Sequence, residues 1–154
     1  MKIKLGVIFG GQTVEHEVSI ISAIQAMKNL DQNKYEIIPI YIAKDKTWYT
    51  GAMLNEIEIF KDFDTIKRYA KRVTLCKKNN CFFLQTTNGL FRKDVVELDI
   101  VLPVVHGNNV EDGSLAGYLE TIGIPYVGSH VLGSALGQDK VVQKQVLASE
   151  GIPV

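Results

Sequence analysis

Ile100-Val101-Leu102-Pro103-Val104-Val105-His106-Gly107-Asn108-Asn109-Val110-Glu111-Asp112-Gly113 is the stretch on which the reading of the fold turns. It opens as an unbroken apolar run rich in β-branched residues, the pattern of a strand covered on both faces, as central strands of parallel sheets are. Polar residues then arrive together: a histidine, two glycines, two asparagines and two acids. Ser114 to Ile122 follows with Leu115, Leu119 and Ile122 at helical spacing. A strand, a polar loop and a helix form the unit with which open α/β sheets hold ligands at the carboxyl edge of their strands. His106 and its loop are therefore the first candidates for chemistry.

Working outward, Ile3 to Phe9 reads as a first strand ending in the tight loop Gly10-Gly11-Gln12-Thr13. From about Val14 the pattern is helical, with Thr13 as N-cap and Ile20, Ala23, Ile24, Met27 and Leu30 on one face. Glu15, His16 and Glu17 fall in or near the first turn, where the helix dipole favours acids, and for His16 and Glu17 that placement is explanation enough. Tyr35 to Ile42 is a second strand whose Pro39 suggests an edge. Asp45-Lys46 is a turn before a short strand, Thr47 to Thr50, and Arg72–Cys76 with Cys81–Gln85 makes a hairpin about Asn79-Asn80, ending near Asn88-Gly89. Residues 52 to 71 carry no clear period. After the central unit, Gly123 and Pro125 stop a helix, and Tyr126-Val127-Gly128 suits a short parallel strand. Ser129 is placed to cap a brief helix, and Asp139 opens another that runs to about Glu150. The order predicts an α/β fold: a doubly wound, mainly parallel sheet with peripheral β-hairpins.

Composition narrows the function. The chain has 154 residues, 46% apolar and 22% charged, enough for one domain with a substantial core. Lys plus Arg and Asp plus Glu number 17 each, so no global charge argues for nucleic acid or an anionic membrane. The basic section from Lys61 to Lys78 lacks the interleaved aromatics of a single-strand binder and reads as a solvated sheet edge. No apolar run nears the roughly 20 residues that span a bilayer, and no signal-peptide core follows Met1, so a cytoplasmic location is expected. Cys76 and Cys81 could face each other across the hairpin, but two cysteines in such a chain read as reduced thiols without zinc spacing.

Familiar chemical motifs do not fit. Gly6, Gly10 and Gly11 miss the dinucleotide spacing, and no phosphate-binding P-loop occurs. Ser19, Ser22, Ser114, Ser129 and Ser134 sit in no nucleophile elbow. His106 with Glu111 and Asp112 is poor metal-ligand spacing, and the two acids read better as caps of the following helix.

Three segments do carry a resemblance. Gly10-Gly11-Gln12-Thr13-Val14-Glu15-His16-Glu17-Val18-Ser19 is similar to the G-G-x-[ST]-x-E-x-E-[VI]-S opening of the D-alanine-D-alanine ligases of the ATP-grasp superfamily. His106 to Gly113 resembles their H-G-x-x-G-E-D-G, and Ser134 to Lys140 their S-A-x-x-M-D-K. The resemblance covers residues 1–154 as the family's Rossmann-like N-terminal, substrate-binding domain, with the ATP-grasp portion expected beyond Val154. It implies that ATP phosphorylates the carboxylate of a first D-alanine and that the amine of a second attacks the acylphosphate, giving the dipeptide of peptidoglycan.

By motif position the resemblance makes Glu15 and His106 the catalytic pair. Glu15 would take the substrate ammonium through a charge-assisted contact and His106 would bond near its carboxylate. Val18, Ser19 and Gly107 join them in binding substrate, and Lys140 would contact ATP phosphates. Mg²⁺ is implied as well, with its ligands beyond Val154, and so is a homodimer. Read without the resemblance, Glu15 is a dipole-favoured carboxylate, His106 a polar residue at a strand end and Lys140 a solvated helix lysine. Two positions depart from the pattern. Val110 stands for a glycine, which predicts a different loop path because a β-branched residue resists positive φ, and Gln138 stands for a methionine. Ligases joining D-alanine to D-serine or D-lactate, and a non-catalytic amino-acid-binding regulatory module, are the alternatives.

Overall fold

The computed structural model describes residues 1–87 and 92–154, so the expected hairpin end at Asn88-Gly89 lies outside the described residues. Within them, seven strands form a single sheet: β1 (Ile3–Gly10), β2 (Tyr35–Ile42), β3 (Trp48–Thr50), β4 (Lys71–Lys78), β5 (Cys81–Thr86), β6 (Asp94–Leu98) and β7 (Ile100–Val104), in the order β6-β5-β4-β3-β2-β1-β7. Five α-helices accompany them: α1 (His16–Asn29), α2 (Phe63–Tyr69), α3 (Ser114–Ile122), α4 (Val131–Gln138) and α5 (Lys140–Ser149).

Alternation along the strands sorts the core into two layers. Leu5, Val7 and Phe9 point to the face covered by Ile20, Ala23, Ile24 and Met27 of α1, with Leu54, Ile59 and Ile66 sealing the same side. Ile8, Ile40, Val73, Leu84 and Val101 point to the other face, where Leu115 and Leu119 of α3 cover them. Helices on both faces of one sheet are the α/β arrangement expected. The hairpins, however, are continuous with the sheet rather than appended to it. β1 pairs in parallel with β2 and β7, while β2 through β6 pair antiparallel in succession, so the sheet is parallel at one end and antiparallel at the other.

Several local expectations shift. β7 ends the strand order rather than sitting in its middle; beyond it lies a single parallel bridge from Val101 to Tyr126, which is all that forms of the short strand expected at Tyr126 to Gly128. Pro39 is not on an edge strand. The ladder to β3 begins only at Ile40, so Pro39 needs no partner on that side at its own position, and its carbonyl instead accepts the Thr50 hydroxyl at 2.7 Å. The first helix starts at His16, because the Thr13 hydroxyl accepts the Glu15 N–H at 3.3 Å in a turn that precedes it. Helix α4 starts after His130, and Ser129 offers its carbonyl to the Ser134 hydroxyl rather than capping the helix. Cys76 pairs across the hairpin with Phe83 and Cys81 with Lys78, so the two thiols are out of register with each other. Asn79 and Asn80 hold φ of 47° and 65°, as the tight turn between β4 and β5 requires. Residues 52–61 form two short 3-10 turns. No helix among the described residues is long and apolar enough to cross a membrane.

Candidate functional site

β1 and β7 lie side by side with Phe9 opposite Val104, so the loops that leave Gly10 and Val104 open next to each other at the carboxyl edge of the parallel strands. That edge is where an open α/β sheet builds ligand sites. Both loops are held from within. The Ser19 hydroxyl, fully buried, accepts the Gly10 N–H at 2.8 Å and donates to the Val104 carbonyl at 2.6 Å, tying α1 to the last residues of both strands. Ser19, expected to touch substrate, is thus an internal clamp whose hydroxyl is turned into the protein. Val18, its neighbour, is 53% exposed.

His16 is buried beneath the first loop. Its Nδ1 lies 2.6 Å from the Gly11 carbonyl and its Nε2 3.0 Å from the Tyr41 hydroxyl. A carbonyl can only accept, so Nδ1 carries the proton and Nε2 accepts from Tyr41. Burial pushes the Tyr41 phenol well above its usual range, which keeps it the donor of this pair. His16 is therefore an internal strut, a role that its position in the first turn did not reveal. Glu17 reaches outward to Lys44 at 2.6 Å, and that ammonium draws the carboxyl below its ordinary value in an exposed pair.

The second loop folds on its own acids. Glu111 Oε2 accepts the Gly107 N–H at 2.8 Å, so this carboxylate closes the loop instead of capping the next helix. Asp112 does cap: it accepts the Ser114 N–H at 3.0 Å and the Asn109 N–H at 2.8 Å. Burial alone would raise the Asp112 carboxyl, but the Ser114 hydroxyl and N–H and the Asn109 N–H outweigh it and hold the group below its usual range. The loop takes positive φ at Gly107, Asn109 and Gly113 but not at Val110, and Asn109 is its one non-glycine residue there, at 67°. Val110 is buried, with Cγ1 2.7 Å from the point where a β-carbon on Gly11 would stand. Val110 thus needs no left-handed backbone, which falls at Asn109, a residue type that tolerates it.

Glu15 sits where the two loops meet. It is exposed, caps no N–H of the helix it opens, and joins none of the ion pairs among the described residues. Its carboxylate lies against Gly107. Glu15, Val105, Val110, Glu111, Gln138 and Lys140 all contribute to one cleft of about 600 Å³. A carboxylate and an ammonium facing one cavity suit a ligand bearing both charges, and Lys140, an exposed cation, suits an anionic group such as phosphate. His106 is half-buried next to this wall, and its ring turns toward α1, where Nε2 is 3.3 Å from the Ser22 hydroxyl. The fold therefore brings Glu15 and Lys140 to one cleft, with Gly107 against Glu15 and His106 next to it in the chain. Ser22 went unrecognised, because its partner is 84 positions away and only the fold reveals it. Among the described residues no group of three or more His, Cys, Asp and Glu side chains is placed to hold a metal ion.

Comparison with known proteins identifies the family. Residues 4–129 match the family model described as the D-ala D-ala ligase N-terminus. A D-alanine--D-alanine ligase of Thermosipho melanesiensis is 42% identical over 153 residues, 99% of this chain and 41% of that protein. Among solved structures, the D-alanine-D-alanine ligase from Coxiella burnetii aligns with a TM-score of 0.82 at 34% identity, covering 99% of this chain and 42% of that one. The VanG D-Ala:D-Ser ligase from Enterococcus faecalis aligns with a TM-score of 0.79, also at 34% identity, covering 100% of this chain and 43% of that one. The chain thus spans about two fifths of the length of these relatives.

Proposed function

The chain belongs to the family of D-alanine-D-alanine ligase N-terminal domains, and on that footing we propose that it is the substrate-binding portion of an ATP-dependent ligase that joins two D-alanines. The observation that carries the reading is the meeting of the Glu15 carboxylate with Gly107, next to His106, at the adjoining ends of two parallel strands. Glu15 takes the ammonium of the first D-alanine through a charge-assisted contact. His106 donates a hydrogen bond to its carboxylate end and orients it for activation. Lys140 meets a phosphate of the nucleotide from the same cleft. ATP would supply the phosphoryl group that turns the carboxylate into an acylphosphate for attack by the second amine. Mg²⁺ would be held by residues outside this chain, and residues 1–154 alone are expected not to turn over.

The same reading has the dipeptide enter peptidoglycan synthesis in the cytoplasm, with the ligase working as a homodimer. Likeness to a D-Ala:D-Ser ligase at the same identity supports a second reading, in which D-serine is the acceptor. The deciding test is phosphate release with ATP, Mg²⁺ and D-alanine by the ligase that carries this chain, with the product identified for D-alanine, D-serine and D-lactate as acceptors. Release that depends on D-alanine and collapses in Glu15→Gln is expected. Full activity in Glu15→Gln would remove the ammonium role, and no D-amino-acid-dependent release would favour a non-catalytic binding module.

A further inference from the structure

We propose that Ser22 is a positioning residue for His106: its hydroxyl donates to Nε2, holds the imidazole as the Nδ1–H tautomer and so presents a hydrogen-bond donor to the substrate carboxylate. The inference rests on the reading of His106 as substrate-facing and deepens it.

Three observations converge. The Ser22 hydroxyl lies 3.3 Å from His106 Nε2 in a half-buried position. The helix that carries it is fixed at that point, because Ser19, one turn earlier on the same face, is bonded to Gly10 and to Val104, two residues before His106. Ser22 thus faces His106 by construction of the helix rather than by a free rotation of the surface. The 3.3 Å contact itself allows either direction, and the proposal has the hydroxyl donate. A helical serine commonly returns its proton to the carbonyl four residues back. Among the hydrogen bonds of the described residues, Ser22 makes only the contact to His106. Given to Nε2, the hydroxyl proton goes to the one partner that the Ser22 side chain has among the described residues. Nε2 then carries a lone pair, and a neutral imidazole must hold its proton on Nδ1. Free neutral histidine in water favours the Nε2–H form, so Ser22 works against the intrinsic preference. Nδ1–H makes no hydrogen bond to the described residues and is left for a ligand oxygen.

The test reads the tautomer directly, through long-range imidazole ¹⁵N–¹H correlations of histidine-labelled protein at a pH where His106 is neutral. His106→Gln assigns the signals. His106 should show a pyrrole-like Nδ1 and a pyridine-like Nε2. Ser22→Ala should move it toward the Nε2–H form, and Ser22→Thr, which keeps the hydroxyl, should restore it. His16, held by Gly11 and Tyr41, should not change in any variant and reports that the fold is intact. In the ligase that carries this chain, Ser22→Ala should raise KM for the first D-alanine by roughly tenfold, the worth of one hydrogen bond, and Ser22→Thr should recover it. An Nε2–H form in the unsubstituted protein, a tautomer indifferent to Ser22→Ala, or an unchanged KM overturns the proposal. Absence of any D-alanine-dependent turnover would instead defeat the ligase reading, while the spectrum would still decide what Ser22 does.

Discussion

Glu15 Oε2 lies 2.7 Å from the point at which a β-carbon on Gly107 would stand, so the two loops of the cleft touch because residue 107 has no side chain. Gly107 also holds φ at +86°, a conformation that costs other residues about 1–2 kcal/mol. Gly107→Ala is therefore expected to lower stability by at least that amount and to push Glu15 and Thr13 aside. Thermal unfolding reads the first effect; a weakened response to D-alanine, beyond what the stability loss explains, reads the second.

Glu15 itself makes a contrasting case. Its carboxylate caps nothing, so Glu15→Gln should leave stability within about 0.5 kcal/mol of the unsubstituted chain. The same change removes a charge-assisted contact worth about 1.5–3 kcal/mol to the ammonium, roughly a 10- to 150-fold loss in kcat/KM for the first D-alanine. A variant that loses stability and keeps kcat/KM would show the opposite division of roles.

That division was only partly legible in the sequence. β1, β2, β4, β5 and α1 stand out because each carries its own period or turn signal, such as Asn79-Asn80 or the Ile20-Ala23-Ile24-Met27 stripe. Residues 52–70 carry none, since each short turn there sends in one side chain: Leu54, Ile59, then Ile66, each at most 3% exposed. β6 was equally silent. Its ends are held by Lys78 to Asp94 at 2.8 Å and Lys4 to Glu97 at 3.1 Å, pairings that only the folded sheet brings about. At the site, motif positions pointed to Glu15, His106 and Lys140, but residue type could not separate a serine that meets ligand from one that meets backbone. Ser19 and Ser22 differ only in what the fold sets opposite them.

Ser19→Ala should accordingly behave as a core defect. It strands the Gly10 N–H and the Val104 carbonyl, for an expected loss of about 2–3 kcal/mol. A fall in the urea midpoint at constant m-value would show it. A change confined to D-alanine binding, with the midpoint untouched, would return Ser19 to the list of substrate contacts.

Asp112 makes the cleft loop sensitive to acid. Its carboxyl is held below its ordinary value of 3.8, so its contribution is complete above that pH and is lost as pH falls through the lower value of the folded state. Asp112→Asn should cost about 1 kcal/mol at neutral pH, because its single amide oxygen can replace only one of the two acceptors that hold the Ser114 and Asn109 N–H groups. The difference in unfolding temperature between the two proteins should then narrow as pH drops below 3.8. A difference that is flat across this range would mean that the cap works without its charge.

Val110 is one of the two positions at which the chain departs from the family pattern, and the effect of this departure can be measured. Restoring glycine there should destabilise, because Val110 is 7% exposed and its burial contributes about 1.5–3 kcal/mol. Its partner is Gly11, where a β-carbon would come within 2.7 Å of Val110 Cγ1. Gly11→Ala carries two costs: the strain of φ at +105°, and the collision with Val110. The strain is common to both backgrounds, so it cancels in a double-mutant cycle built from Gly11→Ala and Val110→Gly, leaving the collision. Gly11→Ala should therefore be clearly less damaging in the Val110→Gly background, by about 1 kcal/mol or more. If the two substitutions were additive, the valine would not be what keeps residue 11 a glycine, and the glycine would answer to backbone conformation alone.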